Sequence, residues 1–184
     1  MKDENITRQL DKLKVFFLKY YPIRIKNVGL EEKVARQIVW DFKDGNHYEA
    51  VAQMTAKRLV EHFGEQVRSI VFSCVPASTS EKHEHRYKDF SSRVCELSGA
   101  VNGYEHVRVT NDRPEVPKNR KKKDVQIQEN VIYDEDFFKG KRILVFDDII
   151  TRGHSYANFA NRLEMFGAEV LGGFFLGKTF YKVK

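Results

Sequence analysis

The segment ILVFDDIITRGHS, residues 143–155, constrains the fold of this chain more than any other stretch. Four consecutive apolar residues, Ile143 to Phe146, form a run without polar alternation, which is how a strand buried on both faces reads. Asp147 and Asp148 follow at its carboxyl end. In open α/β sheets ligands bind in the crevice beyond the strand carboxyl ends. Thr151-Arg152-Gly153-His154-Ser155 then leads into a helical pattern. Small and hydroxylated residues there leave backbone N–H groups free to face an anion, and a helix N-terminus adds its partial positive charge. Gly153 permits a tight turn and close approach of backbone to ligand. An Asp-Asp pair alone serves equally well as a helix cap. The apolar strand before it and Thr-x-Gly-x-Ser after it favour a site that offers hydroxyl acceptors beside a phosphate cradle.

The rest of the chain frames that segment. Residues 5–20 place Leu10, Leu13, Phe16 and Phe17 at helical spacing, up to Pro22. Residues 31–40 read as a short helix or strand before the turn Asp44-Gly45-Asn46, and residues 47–63 as a helix stopped by Gly64. RSIVFSCVP, 68–76, is a short buried strand ending at proline. Residues 78–88 are polar and basic and read as a loop, residues 88–100 as a helix, and Tyr104 to Thr110 as a strand. Residues 111–130 carry two prolines and read as a long exposed loop. Arg142 to Phe146 is a strand, Asp147 to Gly153 a turn, Ser155 to Phe166 an amphipathic helix ended by Gly167, and Val170 to Leu176 a strand. Alternating strands and helices predict an α/β domain, with a central, mostly parallel sheet flanked by helices.

At 184 residues the chain suits one domain: residues 1–45 as a small N-terminal helical or hood region and 46–184 as the core. No apolar run is long enough to span a bilayer, and the charged N-terminus lacks a signal peptide's apolar core, so a cytoplasmic location is expected. Cys74 and Cys95 make neither a disulfide framework nor a zinc site. His83 and His85 have no cysteine partners, so no metal-ligating set is expected. The net charge of +6 is concentrated in Lys-Asn-Arg-Lys-Lys-Lys, 118–123, which fits a polyphosphate substrate, nucleic acid or a solvated loop.

Segment 143–155 resembles the 5-phosphoribosyl-1-pyrophosphate (PRPP) signature of type I phosphoribosyltransferases, four apolar residues followed by D-D-x-x-T-T-G-x-[ST]. It matches at Asp147, Asp148, Thr151, Gly153 and Ser155, and departs at Arg152, where threonine is usual. The valine-proline strand end, the basic stretch ending at Arg86-Tyr87 and the helix after it are similar to the ComF-type branch. The N-terminal zinc-binding cysteines of that branch are missing, and Arg86-Tyr87-Lys88-Asp89 replaces its Arg-Gly-Phe-Asn. The resemblance spans roughly residues 35–178 and implies a type I phosphoribosyltransferase fold. It further implies that Asp147 and Asp148 contact the ribose hydroxyls as catalytic residues, and that the loop Ile150, Thr151, Arg152, Gly153, His154 and Ser155 holds the 5′-phosphate. Pro76, Ala77, Ser78 and Thr79 would bind pyrophosphate through backbone N–H groups. Arg86 and the flap residues Lys118, Arg120 and Lys121 would neutralise it from flexible basic loops. Arg152 could contact the phosphate or crowd it. The implied reaction displaces pyrophosphate from PRPP with a nitrogen acceptor, with Mg²⁺ carried mainly by PRPP. A homodimer is compatible with the family, and nucleic acid is the less favoured partner. The alternative is a non-catalytic PRPP or nucleotide sensor, or a protein of DNA uptake, on the same fold.

Overall fold

The computed structural model describes residues 4–110 and 130–182. Its centre is a five-stranded parallel sheet. The strands are β1 (Leu13–Tyr20), β2 (Ile70–Cys74), β3 (Val101–Asn102), β6 (Arg142–Ile150) and β7 (Glu169–Thr179), arranged β1-β7-β6-β2-β3. A small antiparallel pair, β4 (Val107–Val109) and β5 (Val131–Tyr133), forms a second sheet. Parallel neighbours need crossover connections, and helices supply them on both faces.

One face carries α2 (Leu30–Lys43), α3 (Tyr48–Phe63) and α4 (Ser80–Ser98). Its core joins Phe42, Leu59 and Phe90 to Phe72, Leu144, Phe146 and Phe174 from the strands. The rings interlock: Phe42 and Phe90 meet edge-on at 4.9 Å, and Phe90 lies 4.7 Å from Phe146. Each such buried aromatic contributes about 2–3 kcal/mol through area alone. The other face carries α1 (Glu4–Leu10), α5 (Glu135–Phe138) and α6 (His154–Met165), with Tyr156, Phe159 and Leu163 packed on Ile143, Val145 and Phe175. Alternation along β6 therefore sends Ile143 and Val145 to the α6 side and Leu144 and Phe146 to the α2–α4 side.

Three segments differ from the sequence reading. Residues 5–20 are not one helix: α1 stops at Leu10 and residues 13–20 are the edge strand, pairing with β7 from Leu13↔Gly172 to Tyr20↔Thr179. The expected N-terminal helical region thus contributes a strand to the main sheet. Residues 78–88 are not a loop. Thr79 caps α4 by accepting the Lys82 N–H at 3.3 Å, and the helix buries His83 and Tyr87 in line with Phe90 and Val94. The polar residues between them form its solvated face. The strand expected to stop at Phe146 runs on through both aspartates to Ile150. Among the described residues, no helix is long and apolar enough to cross a membrane.

Candidate functional site

The alternation along β6 also sorts its two carboxylates. Asp147 falls on the α6 side, where it joins residues 149–156 around a cleft of about 250 Å³ at the carboxyl edge of the sheet. Asp148 falls on the opposite side, where Arg86 of α4 and Lys43 at the end of α2 meet it. Arg86 donates from Nη1 to Asp148 Oδ2 at 2.5 Å, and Lys43 Nζ lies 3.8 Å from the same oxygen. Arg86 also donates from Nε to the Lys43 carbonyl at 3.1 Å. His85 Nε2 donates to the Asp44 carbonyl at 2.7 Å. The turn after α2 is thereby pinned to α4. Arg86 is therefore no member of a flexible loop. It is a half-buried helical residue, and its charge balances a carboxylate that would be costly to bury alone.

Asp147 is buried, and its Oδ1 accepts the Asp148 N–H at 2.9 Å. Burial, then the neighbouring Asp148 charge, raises the Asp147 carboxyl well above the usual value of 3.8. A carboxyl raised in the folded state favours folding only while protonated, so this contribution is lost as pH rises from near 3.8 through the folded value. Asp147→Asn keeps the accepting oxygen and removes the titration. Urea denaturation is expected to find the variant more stable than wild type at pH 8, with the gap closing towards pH 4. A gap that is absent, or independent of pH, would refute this account of Asp147.

The loop after β6 turns at Gly153, which has φ 79° in the left-handed region and caps α6; its carbonyl accepts the Ala157 N–H at 2.9 Å. Thr151, Arg152, His154 and Ser155 are exposed around the cleft, and Gly153 is buried beneath them. Ile150 lines the cleft but is otherwise buried in the α6-side core. The Thr151 hydroxyl meets the Thr179 hydroxyl of β7 at 2.7 Å, a partner with no local signal in the sequence.

Pro76 to Thr79 lie at the carboxyl end of β2, whose last residue, Cys74, is paired with Phe146 just before the aspartates. The expected row of exposed N–H groups is shorter than the sequence suggests. Pro76 has none, and the Ala77 N–H donates to His83 Nδ1 at 3.4 Å. His83 is buried, stacked on Tyr104 with ring centroids 5.2 Å apart, and burial lowers it to about 4. It holds the turn as a neutral ring, while His85 points to the α2 turn. Among the described residues, no group of three or more His, Cys, Asp or Glu is placed to hold a metal ion. Lys118, Arg120 and Lys121 lie outside the described residues. Their described flanks, Thr110 and Asn130, bond at 2.7 Å, and Asn130 Nδ2 donates to the Ser78 carbonyl at 3.3 Å.

The site therefore gathers Asp147, Asp148, residues 150–155, the Pro76–Thr79 turn and Arg86 at one edge of the sheet, and adds Lys43 and Thr179. No family model matches the chain, and no curated protein matches it.

Proposed function

We propose that this protein is a type I phosphoribosyltransferase, binding Mg²⁺-PRPP and passing its phosphoribosyl group to a nitrogen acceptor. The observation that carries this reading is the junction at the end of β6: a buried carboxylate opens onto a cleft formed by a left-handed glycine turn and the first turn of a helix. Backbone N–H groups and the helix dipole there suit a 5′-phosphate, with Arg152 and His154 at its rim. Asp147, which faces the cleft, accepts from the ribose hydroxyls. Asp148, neutralised by Arg86 and Lys43, sets the local field as positive charge develops on the sugar.

In the reaction, the acceptor nitrogen's lone pair forms the bond to the anomeric carbon, and the C–O bond breaks with its electron pair leaving on pyrophosphate. The acceptor's proton passes to water. Mg²⁺ arrives on the substrate's phosphate oxygens and screens the departing charge. The turn Pro76–Thr79 is the pyrophosphate subsite. The positive charge of the basic run 118–123 suits the departing pyrophosphate.

The test is calorimetric titration of Mg²⁺-PRPP into wild type and Asp147→Asn, a substitution expected to preserve the fold. Binding to wild type that weakens at least about 100-fold in the variant is the expected result, and it justifies screening nitrogen bases for pyrophosphate release. Binding without turnover on any base points to the sensor alternative. No binding by folded wild type overturns the proposal.

A further inference from the structure

The N-terminal helix α1 touches the turn itself, through a residue that does not line the cleft. A Cβ placed on Gly153 would lie 2.5 Å from Leu10 Cδ2 and 3.3 Å from Leu10 Cδ1, so the isobutyl group fills the space directly beneath the glycine. The neighbouring residue reinforces this contact: the Gln9 carbonyl accepts from the hydroxyl of Tyr156, a cleft-lining residue, at 3.5 Å. Interiors are close-packed, so a side chain in this position limits where the turn can move.

The helix α1 has seven residues, too few to persist in water by itself. It is held by α6, the helix that begins at the cleft. Gln9 is fully buried and donates from Nε2 to Asn161 at 2.8 Å and to Glu164 at 2.7 Å. Glu164 also pairs with Arg8 at 2.6 Å and with Lys12. Lys12 donates further to the Val170 carbonyl at 2.8 Å. Arg8, Gln9 and Lys12, held by Asn161 and Glu164 of α6, set the height of α1 against α6, and thereby the position of Leu10 under Gly153.

We infer that α1 is a positioning element of the anion-binding turn: Leu10, anchored through the Glu164 network, holds residues 151–155 in their binding conformation. The affinity arm of this inference rests on the phosphoribosyltransferase reading; its structural arm does not. Leu10→Ala leaves the cleft residues intact and empties the space beneath the turn. Amide hydrogen exchange is expected to speed up at least about 10-fold at Ala157, whose N–H closes the turn on the Gly153 carbonyl, with the amides of β6 and β7 unchanged, and Leu10→Met is expected to restore protection. In the same variant the Kd for Mg²⁺-PRPP is expected to rise about 10-fold. A folded Leu10→Ala protein whose turn exchanges within twofold of wild type overturns the inference, whatever the ligand does. If wild type binds no PRPP, the functional proposal falls and the exchange measurement still decides this one. Should Leu10→Ala fail to fold, Glu164→Gln, which loosens the anchor from outside, is read by the same exchange experiment and judged by the same twofold limit.

Discussion

Arg86→Met is expected to remove about 3 kcal/mol of folding stability, although the substitution lies on an α-helix and keeps its apolar stem. Arg86 and Asp148 expose only 15% and 10% of their side chains, and their contact at 2.5 Å is the principal compensation for taking the carboxylate out of water. Removing one member of a buried pair costs about 3–5 kcal/mol, mostly through the charge left behind. The low end applies because Lys43 stays within 3.8 Å of the same oxygen. Methionine preserves the stem's packing beside Tyr87, whose ring lies 5.6 Å from the guanidinium carbon, so the loss reports charge rather than volume. The diagnostic is the double variant: Arg86→Met with Asp148→Asn leaves no orphaned ion and is expected to recover at least half of the loss in urea denaturation. A single variant as stable as wild type, or a double variant no better than the single, would show that the pair is not what stabilises this corner.

Gly172→Ala is expected to be more damaging, at about 4 kcal/mol. Replacing glycine by alanine usually stabilises a chain by restricting its unfolded state, where the native backbone allows a side chain. Here it does not. Gly172 has φ 153°, and β7 shifts register against β6 beside it, between Ile143 and Leu144. A Cβ there would sit 2.2 Å from the Leu13 carbonyl oxygen and 2.7 Å from Leu13 Cβ, against the backbone of the paired strand. Backbone cannot swing aside as a flexible side chain can, so β1 must separate from β7 or β7 must distort. Gly140 is the control: its φ is 70°, but nothing lies within 4 Å of the added carbon. Gly140→Ala should therefore carry only the left-handed penalty of about 1 kcal/mol. Thermal melts of both variants, with an apolar dye to report release of Phe16 and Phe17, separate crowding from dihedral strain. Equal losses in the two variants would refute the steric account.

The segment that dominates the sequence was legible because its signals agree. An apolar run, a pair of acids, a glycine turn and an amphipathic helix point to one strand–turn–helix unit, and the structure has that unit at the centre of its sheet. The N-terminal segment was misread because Leu10, Leu13, Phe16 and Phe17 satisfy helical spacing by coincidence. In the fold, Leu13, Val15 and Phe17 pack on one core and Phe16 on the other, so an edge strand half-buried on both faces loses the alternation that would have revealed it. The Val-Phe-Phe composition was the better signal. The start of α4 was hidden by a different cause: His83 occupies a core position among charged neighbours, and only the spacing His83, Tyr87, Phe90, Val94 exposes the helix. Lys43 and Leu10 could not have been found locally. The first reaches Asp148 because the turn after α2 is tied to α4, the second reaches Gly153 because α1 docks on α6, and both are products of tertiary packing alone.

The pairing of β1 with β7 has a further consequence during synthesis. Leu13 lies opposite Gly172, so β1 leaves the ribosome well before its sheet neighbour β7. At translation rates of about 5–20 residues per second, the stretch Val15-Phe16-Phe17-Leu18 waits on the order of 10 s without its partner. Contacts so distant along the chain also close slowly once both strands exist. Throughout that interval two adjacent phenylalanines sit in an unpaired segment flanked by Lys14 and Lys19, charges placed where they oppose association with other nascent chains. The arrival of β7 is thus what ends the exposure of β1, and a ribosome stalled before residue 169 would hold a chain in which β1 has no partner strand.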